Sequence, residues 1–108
     1  MKTSADFIEF VVDQLSSWRN VTARRMFGGA GLYCDDIMFG LVAGDTAYLK
    51  VDDTNREQFV LAGSRPFKPY RNKATTMSYY EIPPDVLENR STLGAWAELS
   101  LRIQKAKK

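Results

Sequence analysis

Arg65, Lys68, Arg71 and Lys73 place four positive charges within nine residues, with Phe67 and Tyr70 between them and no acid intervening. Cations interleaved with aromatic rings are the chemistry of a nucleic-acid backbone contact, whose affinity falls steeply as salt rises. The same charges suit a solvated hairpin that must repel other strand edges. A second cationic pair, Arg24 and Arg25, precedes glycines at 28, 29 and 31. Backbone amides freed of side chains can cradle a phosphate. A phosphate loop, however, lies between a strand and a helix N-terminus, and here Leu32-Tyr33-Cys34 continues as strand. These glycines are therefore read as bending or bulging a long strand.

Catalytic chemistry is poorly provided for. The chain contains no histidine, which removes the commonest general base and metal ligand together. The single cysteine, Cys34, has no internal disulfide partner, and its neighbours Asp35 and Asp36 disfavour the thiolate, so it is expected to pack as a small apolar residue. Asp35-Asp36 and Asp52-Asp53 could offer oxygens to a hard cation, but neither pair has a calcium-loop pattern and both suit turns and helix caps. No catalytic residue, metal site or cofactor is expected.

The 108 residues suffice for one domain, residues 1–108, and 44% apolar with 26% charged residues is an ordinary globular composition. A net charge of +2 does not by itself announce a nucleic-acid partner. The longest apolar stretch, 37–44, is far short of the ~20 residues that span a bilayer, and the N-terminus has no signal-peptide pattern. A cytoplasmic protein without membrane association is the expectation.

Periodicity supplies the elements that would position these side chains. Apolar residues at 7, 8, 11, 12, 15 and 18 follow Thr3 and Ser4, predicting a helix to about Asn20 that turns Phe7, Ile8, Val11, Leu15 and Trp18 inward and Glu9, Asp13 and Gln14 outward. From Val21 the period becomes two, with turn signals at Asp35-Asp36 and Gly44-Asp45, so that 21–34, 37–43 and 46–52 form an antiparallel meander. In the third strand Ala47, Leu49 and Val51 share one face and Tyr48 and Lys50 the other. A short helix capped by Asp52 or Asp53 runs to Ala62 and ends at Gly63. A strand pair, 67–71 and 75–81, folds back around Asn72-Lys73, and helices follow over 84–90 and 92–106. The last of these stripes Leu93, Trp96, Leu99 or Ser100, and Ile103. The sum is an α+β two-layer sandwich: a curved antiparallel sheet of about five strands with helices on one face and the other left open.

Three blocks carry a family resemblance: Arg24-Arg25-Met26-Phe27-Gly28-Gly29-Ala30-Gly31-Leu32-Tyr33, then Tyr48-Leu49-Lys50-Val51-Asp52, then Met77-Ser78-Tyr79-Tyr80-Glu81-Ile82-Pro83. In order and spacing they resemble the TfoX N-terminal domain family, regulators of bacterial competence for DNA uptake, here as a stand-alone N-terminal domain. The resemblance implies a non-enzymatic regulatory or adaptor role and a protein partner of the transcription-regulating class. On the open face, Tyr48 and Lys50, joined by Tyr33 and Tyr79, are the expected partner surface, with Arg24 and Arg25 at its margin. By parity Arg25 shares the apolar side with Ala23, so its head must reach the sheet margin or an acid such as Glu81. Homodimerisation is compatible with the same surface. Nucleic acid, through Arg65, Lys68, Arg71 and Lys73, is the alternative partner.

Overall fold

The structure, a computed structural model, describes residues 3–26, 28–68 and 78–107. Helix α1 spans Ala5–Leu15. Its N-cap is Ser4, whose hydroxyl accepts the Phe7 amide at 3.1 Å. Thr3, the other candidate cap, is instead buried, and its Oγ1 accepts from the Gly44 amide at 2.8 Å. The helix stops short of Asn20, and Trp18 enters the core from the turns that follow it, its ring edge-on to Phe39. Gln14, expected in solvent, is buried because its Nε2 donates to the Leu87 carbonyl at 2.9 Å. That bond ties α1 to the far end of the chain.

The sheet has strands β1 (Thr22–Met26), β2 (Gly29–Cys34), β3 (Ile37–Ala43), β4 (Thr46–Lys50) and β5 (Tyr79–Glu81), in that spatial order and all antiparallel. The stretch 21–34 is thus two strands rather than one. Gly28, at φ 80°, adopts the left-handed conformation in the turn between them, a region in which L side chains are costly. Gly29 and Gly31 then serve packing. A methyl group at Gly29 would overlap the Val42 carbonyl oxygen, and one at Gly31 would stand 2.9 Å from the Tyr33 ring. The irregularity lies elsewhere: Leu32 pairs with Gly40 but Tyr33 with Met38, so Phe39 is the extra residue of a bulge. The bulge sends Phe39 into the core, where it is fully buried.

The two turns predicted at Asp35-Asp36 and Gly44-Asp45 are present. Asp35 and Asp36 both have positive φ, 53° and 64°, as a two-residue hairpin turn requires and as Asp tolerates better than most residues. Helix α2 (Arg56–Leu61) has Asn55, not an aspartate, at its N-cap. Asn55 is buried, accepting from Asp52 N and donating to the Lys50 carbonyl, while Asp52 closes a turn onto Thr54. At the other end Gly63 (φ 77°) ends the helix as expected, with Ser64 N bonded to Phe59 O and Gly63 N to Val60 O.

Residues 65–67 run beside β5 through Glu81 N to Arg65 O and Phe67 N to Tyr79 O, with a bridge between Pro66 and Tyr80. The remainder of the predicted strand pair around Asn72-Lys73 lies outside the described residues. Helices α3 (Pro84–Leu87) and α4 (Arg90–Lys105) complete the fold, the second capped by Asn89 accepting from Thr92 N.

The four helices among the described residues pack on one face of the sheet. Ile8, Val11 and Leu15 of α1, Phe59 of α2, Val86 of α3, and Leu93, Ala97 and Leu101 of α4 join Leu32, Phe39, Val42, Leu49 and Val51 in one core. Ser100, rather than Leu99, completes the buried stripe of α4, its hydroxyl donating to Lys50 O at 2.7 Å. The architecture is the expected α+β arrangement with an open sheet.

Candidate functional site

The pairing register decides which side chains share the helix-free face. Gly31 opposes Leu41, Leu41 opposes Tyr48 and Tyr48 opposes Glu81, while Arg24 opposes Gly31 and Lys50 opposes Tyr79. Directly opposed strand residues project to the same side, and so do residues two apart. Arg24, Tyr33, Tyr48, Lys50 and Tyr79 therefore lie on one face, drawn from four strands. Arg25 points the other way, and its guanidinium reaches the sheet margin to donate to the Thr3 carbonyl at 3.2 Å. Glu81 is not its mate; that carboxylate faces Arg65 at 3.7 Å.

This face has two unlike halves. At β4–β5, Tyr48 and Tyr79 are 8% and 5% exposed and cluster with Leu41, and Phe67 packs edge-on against the Tyr48 ring with centroids 4.9 Å apart. The expectation of an open side is corrected here. The 65–67 segment folds back along β5 and brings an aromatic cover with it. Burial, then the Glu81 charge, raises the Tyr48 pKa; burial, then Tyr33, raises that of Tyr79. Two tyrosines expected to meet a partner thus spend their rings inside the molecule.

At β1–β3 the face carries exposed Arg24 and half-buried Met26, Tyr33 and Met38. The Arg24 guanidinium lies over the Tyr33 ring at 4.3 Å and donates to Asp36 Oδ1 at 2.6 Å. Gly31 is what lets that ring lie flat along the sheet. A cation stacked on an aromatic ring is planar and half-desolvated, a geometry suited to receiving a carboxylate. The Asp36 link spans two exposed side chains, so a partner acid can replace it at small cost.

Of the alternative cationic set, Arg65 and Lys68 border an open groove of about 450 Å³ lined also by Tyr48, Pro66, Phe67 and Glu81. Glu81 inside the groove opposes a phosphate backbone. Arg71 and Lys73 lie outside the described residues. Cys34 is buried, and burial followed by the Asp35 charge raises its pKa, so the thiol is poorly placed for nucleophilic chemistry. Among the described residues no group of three or more His, Cys, Asp or Glu is arranged to hold a metal ion. No helix among them is long and apolar enough to cross a membrane.

Residues 13–103 match the family model of the TfoX N-terminal domain. The chain belongs to that family. This TfoX N-terminal domain is also 39% identical over 59 residues to an uncharacterized 12.7 kDa protein encoded in the trpE 5′ region of Spirochaeta aurantia. The alignment takes in 55% of the present chain and 51% of the relative, so the chain spans about half the length of the curated relative it matches. The family points to a regulatory, competence-related role. The matched span contains both the Arg24–Tyr33 stack and the Gly31 that accommodates it.

A polar hub on the helical layer carries no local sequence signal. Glu98 on α4 accepts from the Trp18 indole at 2.9 Å and from Arg19 at 3.1 and 3.2 Å, and its other oxygen accepts from Arg102 at 3.1 Å. The Trp18 N–H and then the two guanidiniums hold its carboxyl at about 2. Trp18 and Glu98 are eighty positions apart, and no local pattern joins them. The hub clamps the end of α1 to α4 on the helical layer, away from the free face.

Proposed function

We propose that this domain is a non-enzymatic regulatory adaptor that binds a protein partner of the transcription-regulating class through the β1–β3 half of its helix-free face. The single observation that carries the reading is the Arg24–Tyr33 stack, flanked by Met26 and Met38, on a sheet face that the helices leave uncovered. Exposed arginine beside aromatic and methionine side chains is the composition of interface centres. Arg25 at the margin adds a second cation for acidic groups of the partner. Tyr48, Tyr79 and Lys50 lie beside this surface on the same face.

Family membership supports the regulatory half of the proposal, with competence for DNA uptake as its setting and the cytoplasm as its place. The test is a paired substitution, Arg24→Glu with Tyr33→Ala, in the native host. The expected result is loss of the protein's effect on transcription of DNA-uptake genes while the purified variant keeps a cooperative thermal transition. Unchanged transcription with a folded variant contradicts the proposal.

A further inference from the structure

The two edges of the sheet are finished differently. Beyond β5 the outer edge is taken up by residues 65–67, through Phe67 N to Tyr79 O at 2.7 Å and Glu81 N to Arg65 O at 3.0 Å. At the opposite end β1 pairs with β2 alone. Its five residues run in unbroken register from the Thr22–Tyr33 pair to the Met26–Gly29 pair, with neither proline nor bulge to blunt the strand. Met26 and Gly29 flank a two-residue turn, and such a hairpin closes on a pair that exchanges both hydrogen bonds. By alternation Arg24 and Thr22 also bond to β2, which leaves the N–H and C=O of Ala23 and Arg25 pointing outward. Among the described residues no backbone bond from another element reaches them. Such an edge is a template for one more strand.

The side chains decide what kind of strand fits. Thr22, Arg24 and Arg25 are exposed, and β1 carries two cations and no acid. A two-fold pairing of β1 with its own copy, made through the outward groups of Ala23 and Arg25, is centred on residue 23, 24 or 25. Centring on 24 or 25 sets an arginine directly against itself, which is unfavourable, and centring on 23 offers Arg24 only Thr22 and Arg25 only Val21. A second copy therefore does not complete the edge. Arg24 leans on Asp36, but both side chains of that pair are exposed. Arg25 belongs to no ion pair among the described residues, and its guanidinium donates to the Thr3 carbonyl at 3.2 Å. As neighbours in a strand the two arginines face opposite sides of the sheet, so the residues opposing them in an added strand are neighbours too.

Resting on the partner surface proposed above, we infer that β1 takes up an extended segment of the partner protein as an added strand, and that this segment carries two consecutive acidic residues opposite Arg24 and Arg25. One acid meets Arg24 on the helix-free face, beside the Tyr33 ring, and the other meets Arg25 on the helical side, near Thr3. Main-chain bonds to Ala23 and Arg25 supply the affinity and the acidic pair sets the register. A polypeptide edge alternates donors and acceptors as β1 does, whereas a phosphate backbone offers acceptors only, which favours a protein segment over nucleic acid.

The probe is a blocked hexapeptide of threonine and valine around a central Glu-Glu pair, titrated into the full chain while backbone amide resonances and hydrogen exchange are followed. Saturable shifts and slowed exchange are expected at the Ala23 and Arg25 amides. Methylating every second peptide nitrogen, in each of the two phases, keeps the charge, and the phase that faces β1 should weaken binding at least about tenfold. Arg25→Gln should weaken it about threefold, and a Lys-Lys centre should abolish saturation. No saturation by the Glu-Glu peptide, equal binding by both methylated forms, or equal binding by the Lys-Lys peptide overturns strand addition. In the native host, Ala23→Pro removes one outward N–H while every cation and every β1–β2 bond stays in place. It should reduce the effect on DNA-uptake genes as far as Arg24→Glu with Tyr33→Ala does; if the proline variant loses its cooperative thermal transition, the peptides decide. An effect that survives Ala23→Pro but not the paired substitution overturns the edge and keeps the face. An effect that survives both overturns the partner reading itself.

Discussion

The two faces of the sheet solve the same burial problem with different side chains. On the helical side, Leu32, Phe39, Leu49 and Val51 are apolar throughout, and polar groups enter only as tethers such as Ser100 and Gln14. On the other side the covering residues are Tyr48, Tyr79, Met38 and Phe67, with Arg24 and Lys50 laid over tyrosine rings. Side chains with apolar bodies and polar tips can be partly wet without penalty. The helical face is therefore built for stability, and the free face can exchange its polar contacts for those of a ligand or partner.

The comparison is broken most severely by truncation inside the helical layer. Leu49→Ala should cost about 2–5 kcal/mol in urea unfolding, because the residue is fully buried between sheet and α4. Leu41→Ala on the opposite face should cost less, since the methionine and tyrosine neighbours there can collapse onto the space. Equal losses at the two positions would erase the distinction between the faces.

A second effect is confined to the helical layer and depends on pH. The folded protein holds Glu98 at about 2, below the ordinary value of 4.5. Stability from this group is therefore fully present above pH 4.5 and is lost as pH falls through about 2. Glu98→Gln should flatten that part of the acid-unfolding profile. Profiles recorded by circular dichroism decide this.

The smallest effects on stability belong to the free face. Tyr48→Phe should change the unfolding free energy by less than about 1 kcal/mol, the ring and its contact with Phe67 being retained. Arg24→Glu should stay within about 0.5 kcal/mol, as an exposed ion pair contributes little.

Much of this was legible in the sequence because the signals were local. Alternation of Ala47, Leu49 and Val51, the Asp35-Asp36 and Gly44-Asp45 turns, and Gly63 at the end of α2 each declare themselves within a few residues. The family blocks were legible for the same reason. What was not legible depended on distant partners. Gly28 looked like part of a strand because its flanks are equally strand-like, and the turn shows only in its φ. The face holding Tyr48 and Tyr79 was expected to be open because nothing near them in sequence shows that Phe67 folds over it. Gln14 and Glu98 are held by groups 73 and 80 positions away. Of the expected surface, Arg24 and Tyr33 lie on the part of the helix-free face that Phe67 does not cover, whereas Tyr48 and Tyr79 are buried.

Contact with a partner is proposed on the helix-free face at β1–β3. A photoreactive phenylalanine analogue at Tyr33, compared in the native host with the same probe at Ala95 on the exposed side of α4, tests it most directly. A discrete cross-linked protein species is expected from position 33, lost on Arg24→Glu, and none from position 95. Adducts from position 95 with none from position 33 would contradict it.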